Sequence, residues 1–239
     1  MSSNNGERLV VKTAGEVRLL AIGDVHAPFT DKAKLSSAIA LAKDFVPTHI
    51  WQCGDGYDMY SFSRFPKSVD LITPKQELAE GKALLTDMWA RLQKAAPKAK
   101  CFQSRGNHSY RVVKKMLADA PEFESLLEGP INELTEFKGV VDMKSHRSEI
   151  EIDGTLLIHG WSCRPGFHRD YFSQNVVCGH THKGGVDYKA HKGKPMWELN
   201  CGFLADIESL PLQYGETKTN SWIAGVGIVD KMGPRFIAL

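Results

Sequence analysis

Aspartate, histidine and asparagine recur in this chain in short, ordered clusters. Asp24-Val25-His26, Gly54-Asp55 with Asp58 three residues on, Gly106-Asn107-His108, His159-Gly160 and Gly179-His180-Thr181-His182 each follow an apolar run. Carboxylate, imidazole and amide side chains are ligands for divalent transition metals, and a neighbouring glycine allows close approach where a Cβ would obstruct. Taken singly, an Asp or His of this kind is more often a helix cap, a turn residue or a solvated side chain. Five clusters in series carry a different meaning, because they deliver seven ligand-type side chains, Asp24, His26, Asp55, Asn107, His159, His180 and His182, to the ends of successive strands.

The elements that would position them alternate. Val17 to Ile22 reads as a strand, followed by Leu35, Ala38, Ile39, Ala42 and Phe45 at helical spacing. Ile50 and Trp51 lead a second strand into Gly54-Asp55. Leu78, Leu85, Met88, Trp89 and Leu92 then mark a helix whose first turn suits Pro74. A third strand near Lys100 to Gln103 delivers Asn107 and His108, and this alternation predicts a mostly parallel sheet. Residues 110–147 read as a helical insertion or cap, broken by Pro121 and Pro130. Strand-type segments follow at Glu149 to Ile158 (with a turn at Asp153-Gly154), Asn175 to Cys178, Met196 to Leu199, Ile223 to Val229 and Phe236 to Leu239, which suggests a second sheet. Residues 1–16 read as a polar tail, and 17–239 as one domain.

Composition narrows the function classes. A formal charge of +2 over 239 residues carries no polyanion-binding signature, so duplex nucleic acid is not the expected partner. No apolar run approaches a membrane span, and the start of the chain lacks a secretory h-region. Five cysteines, Cys53, Cys101, Cys163, Cys178 and Cys201, are an odd number in a chain too long to need staples, which favours reduced thiols and a cytoplasmic location.

The order D-x-H, G-D-x-x-D, G-N-H, H-G, G-H-T-H resembles the calcineurin-like metallophosphoesterase superfamily, over roughly residues 17 to 202. The resemblance implies an α/β fold, a four-layer α/β/β/α sandwich of two mixed β-sheets, with a dinuclear metal site at the strand ends. It assigns Asp24, His26 and His182 to one cation, Asn107, His159 and His180 to the other, and Asp55 to both. Two divalent ions, Mn²⁺ first with Fe or Zn²⁺ also suited, would neutralise a phosphate ester and lower the pKa of bound water towards roughly 7. His108 would serve as a proton donor at the reacting phosphate, and Asp58 would orient it.

Other residues are candidates for substrate contact. Arg105 precedes Gly106 in R-G-N-H, and Arg64 follows the second motif; either could hold a phosphate oxygen. After His159 the segment GWSCRPGFHRDYF sets Trp161 and Phe167 among Arg164, His168 and Arg169, a composition able to stack and clamp a nucleotide. Arg111, Lys114 and Lys115 read as a helix face. The Asp-Arg-Gly continuation of the protein phosphatases is missing, Ser109 replaces their acidic residue, and G-D-x-x-D-x-Y-x-x-S-R-F looks like metallophosphoesterases of bacterial viruses. The expected activity is hydrolysis of a small phosphodiester of nucleotide type. Alternatives are a Ser/Thr-protein or small-molecule phosphomonoesterase, then a nuclease or a silent binding module.

Overall fold

Short apolar runs alternate with helices through the first half of the chain. After β1 (Arg8–Val11), β2 (Leu19–Ile22) leads into α1 (Lys32–Phe45), β3 (His49–Gln52) into α2 (Pro74–Ala95), and β4 (Lys100–Ser104) into α3 (Arg111–Asp119) and α4 (Glu124–Thr135). Strands dominate thereafter: β5 (Val140–Met143), β6 (Glu149–Ile152) and β7 (Thr155–Ile158), then α5 (Phe167–Phe172), β8 (Asn175–Cys178), β9 (Gly185–His191), β10 (Lys194–Asn200), β11 (Gly225–Asp230) and β12 (Gly233–Ala238). This computed structural model describes residues 6–64, 72–209 and 221–239.

Local chemistry accounts for the two long helices. The Asp31 carboxylate accepts from the Ala33 and Lys34 amides at the start of α1, whose buried face is Leu35, Ala38, Ile39, Ala42 and Phe45, the stripe expected from spacing. Thr73 and Gln76 form a capping box at α2 with Pro74 in the first turn, and Leu85, Met88, Trp89 and Leu92 turn inward.

β2, β3 and β7 are buried at every position, as strands covered on both faces must be. One sheet has the order β12-β11-β2-β3-β4-β5, the other β1-β6-β7-β8-β10-β9. Both are mixed. β2, β3, β4 and β5 run parallel, β11 is antiparallel to β2 and β12 to β11; in the second sheet β7, β8 and β10 are parallel, β6 is antiparallel to β7 and β9 to β10. Leu19, Ala21, Trp51 and Phe102 of the first sheet pack with Ile150, Leu157, Val177 and Leu199 of the second. The other face of the first sheet meets α1 and α2 through Leu20, Ile22 and Ile50, and Phe172 of α5 covers Leu156, Ile158, Val176 and Cys178 of the second. The layers are therefore α/β/β/α.

Three strands lie outside the expected set. Arg8–Val11, within the expected polar tail, pairs parallel with β6, and Arg8 reaches Glu149 and Glu151 across the pair. Val140–Met143, within the expected cap, is the edge strand beside β4. β9 pairs along β10 although most of its residues are exposed. Each is a short or edge segment whose partner lies far away or whose face is wet, so local periodicity is weak. Pro130, expected to break the helical stretch, lies inside α4. Among the described residues no helix is long and apolar enough to cross a membrane, and the five cysteines are free, only Cys163 being exposed.

Trp89, on the inner face of α2, is 2 % exposed, and its indole N–H donates to Gln103 Oε1 at 3.2 Å. Replacing it with alanine opens a cavity and orphans that acceptor. Trp89→Ala is expected to cost about 3–5 kcal/mol in the unfolding free energy from denaturant titration.

Candidate metal centre

Each cluster begins where its strand stops. Asp24 follows β2, Asp55 follows β3, Asn107 follows β4, His159 follows β7, and His180 and His182 follow β8. Because β2, β3 and β4 are parallel, and β7 and β8 are parallel, their carboxyl ends meet at one edge of the sandwich. Glycines permit the approach: a Cβ at Gly179 would lie 2.5 Å from Cys53 Sγ and 2.6 Å from Asp24 Oδ1, and one at Gly106 would overlap Asp55 Oδ1. His26, Asp55, His180 and His182 all have backbones in the left-handed region, with φ of 52°, 47°, 68° and 59°. Such conformations cost on the order of 1–3 kcal/mol each for residues with a Cβ, and they persist where surrounding structure over-determines them.

The side chains converge in two abutting groups. Ligand atoms of Asp24, His26 and His182 lie within 4.8 Å of one another, as do those of Asp55, His159 and His180; Asp55 also groups with His26 and His108. His182 Nε2 is 3.1 Å from Asp24 Oδ2 and 3.0 Å from His26 Nε2. Asn107 Oδ1 sits 2.9 Å from His159 Nε2 and 2.8 Å from His180 Nδ1. Asp55 Oδ2 is 3.3 Å from His159 Nε2, and Asp55 Oδ1 accepts the His108 amide at 2.8 Å.

The hydrogen bonds behind these groups decide which nitrogens face inward. His159 Nδ1 donates to the Cys53 carbonyl at 3.1 Å, which leaves the Nε2 lone pair facing two acceptor oxygens, Asn107 Oδ1 and Asp55 Oδ2. His26 Nδ1 donates to Asp58 Oδ2 at 2.8 Å, so its Nε2 lone pair faces His182 Nε2. At His159 acceptor is opposed to acceptor, which is stable only with a positive charge between, from a proton or a metal ion. A ligating imidazole whose second N–H is held by a carboxylate or carbonyl is the usual second-layer arrangement of metal sites. The residues thus fit divalent cations, and their mix of imidazole, carboxylate and amide suits Mn²⁺, Fe or Zn²⁺.

The acid–base balance agrees. Burial would raise Asp55, but the charges of His108 and His159 hold its carboxyl well below the usual range. Asp58 is likewise opposed by burial and lowered by hydrogen bonds to His108 and His26. Burial lowers His159, yet Asp55 outweighs it and raises the imidazole to about 9. Burial and neighbouring His159 push His180 down to about 4. The interior of the cluster therefore attracts positive charge at the His159–Asp55 contact while leaving His180 a neutral donor.

The expected catalytic and substrate residues fall differently. His108 is 6 % exposed, with Nδ1 donating to the Asp58 carbonyl at 2.9 Å and Asp58 Oδ2 3.4 Å away. Asp58, expected to orient His108, makes its shorter carboxylate bond to His26. Arg111, read from sequence as part of a helix face, donates to His108 Nε2 at 2.8 Å and to the Asp58 carbonyl at 2.9 Å. The signal available in sequence was its position three residues after His108 at a helix start, which brings i and i+3 side chains together.

Arg105 and His168 have partners within the fold. Arg105 is ion-paired with Asp142 at 2.7 Å and bonded to Asn132 and Thr135, so its charge is committed within the fold rather than offered to substrate. His168 is fully buried, and its Nε2 accepts the Trp161 and Ser162 amides at 3.1 and 3.3 Å; it anchors the loop instead of facing a ligand. Trp161 is 50 % exposed, edge-on to Tyr171 and Phe172, while Arg164 is exposed with its guanidinium 5.1 Å over the Phe167 ring. Arg64 is exposed.

No protein-family model matches the chain. It is similar to the Gene 54 proteins of Mycobacterium phages D29 and L5, 24% identical over 242 and 243 residues, spanning 90% of this chain and 89% of each relative. Among solved structures it is similar to YfcE, a phosphoesterase from E. coli, with a TM-score of 0.46 and 14% identity over 92% of both chains.

Because Asp58 fixes the His26 tautomer, its removal should act on metal affinity. Asp58→Ala is expected to weaken Mn²⁺ binding by roughly 10–100-fold at one of two sites in calorimetric titration. Asp55→Ala should impair both. Unchanged titration of Asp58→Ala would show that the carboxylate does not hold His26 for a metal.

Proposed function

We propose that this protein is a dinuclear-metal phosphoesterase that hydrolyses a phosphodiester, with a nucleotide-type substrate. The observation that carries the reading is the pair of abutting ligand groups, Asp24–His26–His182 and Asp55–His159–His180, with Asn107 between two of the imidazoles and His108 beside Asp55. On this reading Asp24, His26 and His182 hold one cation, Asn107, His159 and His180 hold the other, and Asp55 serves both. Bound divalent ions would supply charge neutralisation at the phosphate and a nucleophile at neutral pH.

The chain's own side chains do the rest. Arg111 has five N–H donors, of which only some are used by Asp58 and His108, and those remaining suit an anionic phosphate oxygen. Nδ1 of His108 bonds the Asp58 carbonyl and Nε2 faces Arg111. As Arg111 shifts its bond to the phosphate, Nε2 takes a proton from solvent and passes it to the leaving oxygen. General acid catalysis of this kind contributes about 10²–10⁴ in rate.

Two observations favour a base-bearing diester. The loop that starts at His159 exposes half of Trp161, with Phe167 and Tyr171 adjoining, and a base stacked on such a ring gains about 1–3 kcal/mol. The phosphomonoesterase alternative drew on Arg105, and that guanidinium is committed to Asp142.

His108→Ala is expected to bind metals as the unmodified protein does and to lose roughly 10²–10⁴ in kcat. Matched aryl phosphates provide the second measurement: kcat/KM should favour the diester over the monoester. For nucleotide diesters, Trp161→Ala should lower kcat/KM by roughly tenfold or more, and an unchanged value removes stacking from the account. A strong monoester preference would transfer the assignment to the phosphatase class.

A further inference from the structure

Beside the metal centre lies a cavity of about 190 Å³ that the ligand assignments leave unused. Its lining comes from the same two loops as three of the candidate ligands: Thr181 lies between His180 and His182 in the chain, and Arg164 is on the loop that begins at His159. Its size and polar lining suit a small polar group. Among the described residues no aromatic ring lines it, so it is not where a base would stack.

Its charge is decided by which lining groups are already spoken for. Asp187 is ion-paired with Arg169, and the Glu198 carboxylate accepts the amides of Gly166, His168 and Arg169 at 3.0, 2.8 and 3.1 Å. Asn200 donates to the Gly179 carbonyl and accepts the Gly202 amide. Among the described residues neither Arg164 nor Lys183 has a carboxylate partner. Arg164 and Lys183 thus bring two cationic heads without ion-pair partners among the described residues to a lining in which Asp187 is paired with Arg169 and the Glu198 carboxylate is held on the amides at the start of α5.

We propose that this cavity is an anion subsite, in which Arg164 and Lys183 take a second phosphate of the substrate while the scissile phosphate occupies the metal centre. The inference rests on the phosphoesterase reading for the identity of the substrate, and it adds that the preferred substrate carries two phosphates. Charge-assisted bonds from two cations to one phosphate are worth at least a tenfold preference.

Cys163 is an exposed thiol on the cavity wall, and the other four cysteines are buried, so its alkylation reports occupancy without requiring turnover. With Mn²⁺ filling the metal centre, so that the single phosphate of a monophosphate is drawn there, thymidine 3′,5′-bisphosphate is expected to slow iodoacetamide labelling of Cys163 about tenfold more than thymidine 5′-monophosphate at equal concentration. Lys183→Gln and Arg164→Gln should each abolish that difference. Equal protection by the two nucleotides, or a difference that survives both substitutions, would overturn the subsite. With Mn²⁺ present, thymidine 5′-(4-nitrophenyl phosphate) bearing a 3′-phosphate should show a lower KM than the same ester without it, and Lys183→Gln should erase the gap in KM with little change in kcat. Differential protection without hydrolysis of either ester would leave the subsite standing and remove the phosphoesterase reading. Hydrolysis without differential protection would do the reverse.

Discussion

The constraint on which this structure depends is the burial of many charged and lone-pair-bearing groups in one small volume. Asp24, Asp55 and Asp58 are at most 1 % exposed, and His26, His159 and His182 at most 4 %. A buried carboxylate is tolerated only when paired and hydrogen-bonded, so every one of these groups must be held by another. The cluster meets that demand in layers. Asp24 takes the His180 amide, Asp55 takes the His108 amide, Asp58 takes His26, and the Cys53 carbonyl takes His159. What remains unreconciled is the set of lone pairs pointing inward, and that residue of unsatisfied negative character suits the site to cations.

Such a cluster has to be assembled by rigid neighbours. Two six-stranded sheets supply them, because strands packed through a shared core cannot slide without breaking contacts such as Trp51 and Phe102 against Leu157 and Val177. The left-handed backbones at His26, Asp55, His180 and His182 are the local cost of turning the chain sharply at strand ends so that side chains point at one another. The adjoining loop is fixed differently. Glu198 from β10 reaches across to the amides at the start of α5, and His168 returns to the Trp161 and Ser162 amides. That pair of anchors leaves Trp161 and Arg164 at the surface beside the centre.

This arrangement also separates side chains that look alike in sequence. Arg105 and Arg111 flank the same Asn107-His108 pair, yet one closes an internal ion pair with Asp142 and the other lies on His108. Direction settles it. Arg105 still follows β4 toward the neighbouring edge strand β5, whereas Arg111 stands in the first turn of α3, one turn beyond His108.

The sequence by itself determined the strand-end order of the ligands, the stripes of α1 and α2 and the two-sheet architecture. Those are carried by strong local signals: unbroken apolar runs, 3.6-residue spacing, Pro74 in the first turn of α2, and motifs whose order does not depend on distant partners. Only tertiary structure decided the rest. β1 acquires its role from a partner strand more than 130 residues away, β5 and β9 are edge strands with one wet face, and neither situation leaves a period in the local sequence. The same holds for individual side chains. Whether Asp58 serves His26 or His108, whether His168 meets a ligand or two amides, and whether Lys183 finds a counter-charge are questions of which atoms share a buried space, and the pairing of the two sheets sets that space.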